Sequence, residues 1–428
     1  MGNSLQRAWR TTAALSAVLA VGLTACGADN SSSGAGSSSG GGGGGGNAKT
    51  IKIGILAPRT GNFAPNGADE IAGWNVALKQ LGDTVNGKKI QTVTVDDACD
   101  PTQGLTAARR LVQSEHVVAI FGPTCANEAL ALRPYIQSAG IPMLTVSCAD
   151  ELATGQRSNN IFVSATTCDQ GSLPFGKYAY DTLKYRNVTV LGLDFAYGWA
   201  TIGGFTKSFT AAGGKIQKRI WVPATASDWS PYINQIPKDT DAVFALTSGA
   251  ATLKFTKAYK QFGLLGKIPL TGSSTLTDYT VLPQEDPDVA KAIISTGTYV
   301  DGLTTDVNQK FADAFKQETG KYPGLYGEDG YTALLLLREA LKKAGGDGSD
   351  HAALVNALKG ISVDAPRGPL TMDPTTNAPT QNVYISQVKE VNGQLRNVPT
   401  QTIDKQPPWG TFPKDEWLKF AAHYTRTS

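Results

Sequence analysis

The chain has 428 residues, 41% of them hydrophobic and 18% charged, and a formal charge of +3. That balance is ordinary for a globular protein and too near neutral to point to a nucleic-acid partner. His116, His351 and His423 lie far apart, which excludes a histidine metal spacing and makes a histidine-dependent triad a poor reading. No metal and no cofactor are expected.

At the N-terminus, Arg7 and Arg10 precede an apolar run, Thr11 to Gly22, too short to span a bilayer. The run ends in Leu23-Thr24-Ala25-Cys26-Gly27, which resembles the lipobox of bacterial lipoproteins. The resemblance implies cleavage before Cys26 and lipid on that cysteine. Residues 1–25 are then a signal peptide, and 26–48 a lipidated cysteine with its linker. Gly27 to Ala48 is almost wholly Gly, Ser, Ala and Asn. Such a segment buries too little apolar surface to offset its ordering entropy and should act as a flexible tether. Its r.m.s. reach is roughly 25 Å. The expected location is the extracytoplasmic face of the cell membrane. Beyond the leader no apolar run is long enough for a transmembrane helix.

Four more cysteines, Cys99, Cys125, Cys148 and Cys168, read as two disulfides in an exported chain. Three pairings are open, and the sequence-local pairs Cys99–Cys125 and Cys148–Cys168 are favoured. A four-thiolate zinc site would lack its CxxC knuckle.

From residue 49 onward strand and helix patterns alternate. Ile51 to Leu56 reads as a buried strand. Gly67 to Leu81 reads as a helix, with Ile71, Trp74, Leu78 and Leu81 at helical spacing. Strand Gln91–Val95, helix Thr102–Ser114, strand Val117–Phe121, helix Asn127–Ala139 and strand Pro142–Val146 follow. The pattern then restarts with strands Val188–Leu193, Lys215–Val222, Ala242–Leu246 and Ile268–Thr271. Helices Gly198–Ala212, Tyr232–Ile236 and Ala250–Phe262 separate them. Later helices are expected near Val307–Thr319, Tyr331–Ala344 and His351–Leu358. A closing hairpin, Val383–Val391 with Leu395–Val398, turns at Asn392-Gly393. This alternation predicts an α/β fold of two doubly wound parallel-sheet lobes. The expected division is 49–166 plus 297–378 for one lobe and 167–296 plus 379–428 for the other. Three hinge crossovers are expected near Val163–Thr167, Thr296–Val300 and Asn377–Asn382. The last stretch, Lys405 to Ser428, is expected to pack as an amphipathic helix on the second lobe.

In such sheets ligands sit beyond the carboxyl ends of the strands. The loops there are Ala57 to Gly67, Asp96 to Pro101, Gly122 to Glu128, Ser147 to Glu151, Asp194 to Gly198, Thr247 to Gly249 and Thr271 to Ser274. Together they resemble those of the branched-chain amino-acid-binding (Leu/Ile/Val-binding) proteins of ABC importers, which have the type I periplasmic-binding fold. The motif Asp96-Asp97-Ala98-Cys99-Asp100-Pro101 carries most of that resemblance. Thr60-Gly61 to Gly67 and Tyr197-Gly198 add to it. The resemblance implies the Cys99–Cys125 bridge, a small-molecule ligand, a membrane permease as partner, a monomer, and no enzymatic activity.

It also implies candidate ligand contacts: Phe63, Asn66, Thr124, Ala126, Asn127, Ser147, Cys148, Tyr197, Ser248 and Ser273; Asp329, just before a helix, is a further candidate to face the cleft. Ala126 stands where the family has a serine for the ligand carboxylate, so that Thr124 or Asn127 would compensate. Ser273 stands near the acid that meets an α-amine, and a buried ammonium without a partner costs several kcal/mol. A branched-chain amino acid is therefore a poor fit, and an amide-like molecule or aromatic acid competes with it. Asp96 and Asp97 read as turn formers and helix caps, and Glu328 and Asp329 as charges at a helix start. The alternative function is a membrane-anchored sensor of the same fold. No GxSxG elbow, HExxH or P-loop supports an enzyme.

Overall fold

A computed structural model describes residues 50–428. The leader, the Cys26 anchor and the linker to residue 48 lie outside the described residues. Two sheets organise the body. The first lobe begins with β1 (Thr50–Ala57), α1 (Ala64–Leu81), β2 (Thr84–Val85), β3 (Lys88–Asp96), α2 (Pro101–Gln113), β4 (Ala119–Phe121), α3 (Ala126–Ala139), β5 (Met143–Thr145) and β6 (Ile161–Val163). Its strand order is β2-β3-β1-β4-β5-β6, parallel except for the β2 edge. The core strand β1 is buried on both faces, as its continuous apolar run requires.

The second lobe follows with α4 (Ser172–Asp181), β7 (Asn187–Leu193), α5 (Ala196–Ala211), β8 (Lys215–Val222), α6 (Ser230–Ile233), β9 (Ala242–Leu246), α7 (Ala250–Gln261), β10 (Leu270–Ser273), α8 (Pro287–Ala292) and β11 (Ile294–Gly297). Strands β8-β7-β9-β10-β11 are parallel neighbours in that order. The chain then returns to the first lobe as α9 (Asp306–Thr319), α10 (Leu325–Ala344), α11 (His351–Leu358), β12 (Ser362–Ala365) and β13 (Gly368–Met372). Long β14 (Pro379–Val391) pairs with β13 at its start and with β11 further on, so one strand runs from lobe to lobe. The hairpin partner β15 (Gln394–Gln406) and α12 (Lys414–Phe420) complete the chain.

Each lobe has its own apolar core. Trp74 stacks on Phe121 at 5.1 Å in the first, and Phe205 on Phe244 at 4.0 Å in the second. Such rings contribute about 1.5–3 kcal/mol each through burial. Three crossovers join the lobes, after β6, after β11 and between β13 and β14.

Most of the expected elements start and stop within a few residues of the sequence pattern, but β2, β6, α8 and β11 have no counterpart among the expected strands and helices, and β15 runs on to Gln406. Helix α10 begins six residues before the expected Tyr331. Its Gly327 and Gly330 look like helix breakers but serve contact with α1: a Cβ on Gly73 would lie 1.7 Å from the Gly327 carbonyl oxygen. Helix α4 and strands β12 and β13 carry too little periodicity to be seen. The last segment does not sit on the second lobe alone. Trp417 and Tyr424 join one apolar cluster with Ala126, Ala129 and Leu152 of the first lobe and Leu173 and Ala200 of the second. Within it Asp169 accepts hydrogen bonds from Trp417 Nε1 at 2.7 Å and the Tyr424 hydroxyl at 2.9 Å. No helix among the described residues is long and apolar enough to cross a membrane.

Candidate functional site

The carboxyl ends of the strands in both sheets face a common cleft. Glycines let the helices begin directly beneath those ends. A Cβ on Gly67 would lie 2.1 Å from the Pro58 carbonyl oxygen, and one on Gly198 would lie 1.8 Å from that of Leu193. Asp96 organises the first loop by accepting from the Arg59 backbone N–H and the Thr60 hydroxyl, both at 2.8 Å. Asp100 caps α2 through the Thr102 and Gln103 amides. The Asp-rich motif thus builds the rim, as its turn and cap chemistry implies.

Between the lobes lies a cavity walled by Phe63, Asn66, Thr124, Cys125, Ala126, Val146, Cys148, Ala165, Thr166, Phe195, Tyr197, Ser248, Leu325, Tyr326 and Asp329. Eight of the expected contacts meet here: Phe63, Asn66, Thr124, Ala126, Cys148, Tyr197, Ser248 and Asp329. Ser273 lines an adjoining space that shares Tyr197, and its Oγ lies 3.3 Å from the Tyr197 hydroxyl. Two candidates are elsewhere. Asn127 is exposed on α3. Ser147 is buried outside the wall, 3.5 Å from the Ala149 amide. Both disulfides take the sequence-local pairing, Cys99–Cys125 and Cys148–Cys168.

The free space is about 50 Å³, room for a few waters at most. The lobes are closed on each other. The Tyr326 hydroxyl of α10 lies 3.2 Å from Ser248 Oγ of the second lobe. Asp278 of the second lobe accepts from the Leu325 amide at 2.6 Å and so caps α10 from across the cleft. Two larger grooves, of about 310 and 430 Å³, flank the Tyr322 ring, and a third, of about 200 Å³, adjoins the cavity, sharing Phe63 and Ser248 with it and reaching Leu193, Ala226 and Lys254.

The electrostatics of the cavity are set by helix ends and by buried acids. Helices α1, α3, α5 and α7 start at its wall, and none has a side-chain cap. Away from it, helices α2, α8, α9 and α11 are capped by Asp or Thr side chains, whereas the short α6 and α12 are not. Uncapped N–H groups at a helix start favour an anion. The Asn66 side chain is 1% exposed, and neither its amide nitrogen nor its oxygen has a partner. Asp329 is held by Arg367, which also pairs with Glu328, and all three are buried. Burial pushes Asp329 up to about 7, with Arg367 opposing that rise.

Behind Thr124 stands Glu70 of α1, fully buried and pushed well above the ordinary carboxyl range by that burial. Burial likewise raises Glu128 to about 10 and Asp97 to about 6. Sequence reading missed Tyr326, Phe195, Thr166, Glu70 and Arg367. Phe195 lies in a loop the strand-end rule had already picked out. The other four carry no local signal.

The chain matches the family model described as "Periplasmic binding protein" over residues 50–394. It is 30% identical over 370 residues to the Leu/Ile/Val-binding protein homolog 6 of Brucella melitensis, covering 84% of this chain and 93% of that one. Among solved structures it resembles a solute-binding protein of an ABC transporter from Rhodopseudomonas palustris BisB5 in complex with 3,4-dihydroxybenzoic acid. The TM-score is 0.79 at 31% identity, over 83% of this chain and 98% of that one. A solute-binding protein from R. palustris in complex with 4-hydroxybenzoate matches at a TM-score of 0.79 and 26% identity, over 85% and 99%. With two α/β lobes around one cleft and these relatives along most of its length, the chain belongs to the periplasmic binding protein family: it is a solute-binding protein, not an enzyme.

Proposed function

We propose that this chain is the lipid-anchored solute receptor of an ABC importer and that it takes a small organic carboxylate into the cleft, aromatic acids in preference to α-amino acids. The observation that carries the reading is the convergence of four uncapped helix N-termini on one cavity. The unpartnered Asn66 amide adds a donor there. Phe63, Phe195, Tyr197 and Tyr326 supply ring surfaces. An ammonium finds no unpaired acid in the wall, since Asp329 is held by Arg367 and Ser273 stands where the family's amine partner falls. The benzoate-type ligands of the R. palustris relatives agree with this choice.

The central cavity, about 50 Å³, is too small for such a ligand, so the lobes part to seat it there. The moving bodies are 49–166 with 297–378 and 167–296 with 379–428, turning at the three crossovers. A permease in the membrane receives the ligand, and Cys26 carries the anchor.

Calorimetric titration of the full chain with benzoate, 4-hydroxybenzoate, benzamide and leucine tests the ligand class. Benzoate or its hydroxy derivative should bind at least about tenfold more tightly than benzamide, about 1.4 kcal/mol. Equal binding of acid and amide would overturn the carboxylate reading, and tighter binding of leucine would overturn the aromatic one. Membrane fractionation of a Cys26→Ala variant tests the anchor, with release into the soluble fraction expected.

A further inference from the structure

The Thr124 hydroxyl faces the cavity on one side and the Glu70 carboxyl on the other, with its Oγ1 3.0 and 2.9 Å from the two carboxyl oxygens. A hydroxyl has one hydrogen to give. If Glu70 is ionised, that hydrogen goes to Glu70, and Thr124 turns lone pairs to the ligand. If Glu70 carries a proton, Glu70 donates to Oγ1, and the Thr124 hydrogen is free to meet a carboxylate. We propose that Glu70 is a positioning residue whose proton is held more tightly with an organic anion bound than in the empty cleft, so that binding draws in a proton wherever Glu70 of the free protein is ionised.

The surroundings hold Glu70 to that role. It is 0% exposed, beneath the close α1–α10 contact where a Cβ on Gly330 would lie 2.0 Å from its carbonyl oxygen. The charged groups around it are acids: Asp69 on its own helix, Asp97 beyond β3, Glu128 on α3 and Asp329 on α10. The two nearby cations are engaged elsewhere, Lys321 with Asp69 and Arg367 with Glu328 and Asp329. The Tyr326 phenol is the remaining titratable neighbour. Among the described residues no cation pairs with Glu70. A ligand carboxylate adds one more negative charge a hydroxyl away and strengthens the hold on the proton. The sign follows: the bound state keeps the proton to higher pH than the free state, so affinity is greatest at low pH and falls as pH rises through the Glu70 transition.

This inference rests on the carboxylate reading, and one experiment separates the two. Benzoate is titrated calorimetrically into the full chain from about pH 5 to about pH 9, in paired buffers of different ionisation enthalpy, and the parent is compared with Glu70→Gln and Thr124→Val. Expected for the parent is uptake of up to one proton per benzoate between the free and bound Glu70 transitions, with affinity falling up to about tenfold per pH unit across that range. Glu70→Gln, whose amide always donates to Thr124, should show no uptake and a flat profile. Thr124→Val, which removes the hydroxyl that reads the proton, should bind benzoate more weakly at low pH and flatten the profile. Benzoate binding in the parent without uptake or pH dependence would overturn the inference and leave the carboxylate reading standing. Uptake that persists in Glu70→Gln would move the proton to Asp329 and overturn it also. Failure of benzoate and 4-hydroxybenzoate to bind at any pH would overturn the ligand reading, and this inference with it.

Discussion

The first lobe backs the cavity with buried ionisable groups, whereas the second meets it with hydroxyls and rings. Glu70, Asp97, Glu128, Glu328 and Asp329 lie behind the first wall, with Arg367 as their buried cation. Phe195, Tyr197, Ser248 and Ser273 face them from the second. The contrast follows from how each wall is built. The first is backed by α1 and α10, whose glycine contacts seal side chains away from water. The second is made of strand-end loops, where the Tyr197 hydroxyl meets Ser273 and Ser248 reaches across to Tyr326. One wall therefore responds to charge and pH, and the other to shape.

Four changes would break or sharpen that contrast. Arg367→Met leaves Glu328 and Asp329 buried without a cation, a loss of about 3–5 kcal/mol, to be read by urea unfolding; a loss under about 1 kcal/mol would mean the acids are already neutral. Next comes the Cys148–Cys168 bridge, which ties the loop after β5 to the crossover into the second lobe. Replacing both cysteines with alanine should cost about 3 kcal/mol in guanidinium unfolding.

The third concerns pH. Glu128 is raised to about 10 by burial and by its neighbour Asp97, so the folded state holds a proton that the unfolded chain releases near pH 4.5. Stability then falls as pH rises from there toward about 10. Melting temperatures of Glu128→Gln should fall less steeply with pH than those of the parent, and equal slopes would refute this. The smallest effect is expected where the walls touch. Tyr326→Phe removes the bond to Ser248 across the cleft and should weaken ligand binding by about 1 kcal/mol, roughly fivefold. A second-lobe partner of no consequence would leave affinity unchanged.

The same contrast explains what could be read from sequence. Loops that follow buried strands announce themselves, and Phe63, Thr124, Ala126, Tyr197 and Ser248 were found that way. Asn127 and Ser147 came from the same loops but face away, because loop position does not set side-chain direction. Glu70 and Arg367 were out of reach for another reason. Glu70 sits mid-helix beside apolar residues, and its burial depends on α10, far down the chain. Arg367 lies in a Pro-Gly stretch that reads as a solvent loop, and its acids precede it by most of two helices. Tyr326 was hidden by glycines that mark helix contact rather than a helix end. Local chemistry is legible in a sequence, while burial by a distant element is not.

The C-terminal segment sets how the cleft can open. Trp417 is fully buried among residues of both lobes, and exposing such a ring costs about 3 kcal/mol. Breaking the Tyr326–Ser248 bond costs only about 1 kcal/mol. Separation therefore begins at the tyrosine and leaves the tryptophan seated. A body that turns moves least near its axis, so the proposed opening has its axis beside Trp417 and Asp169.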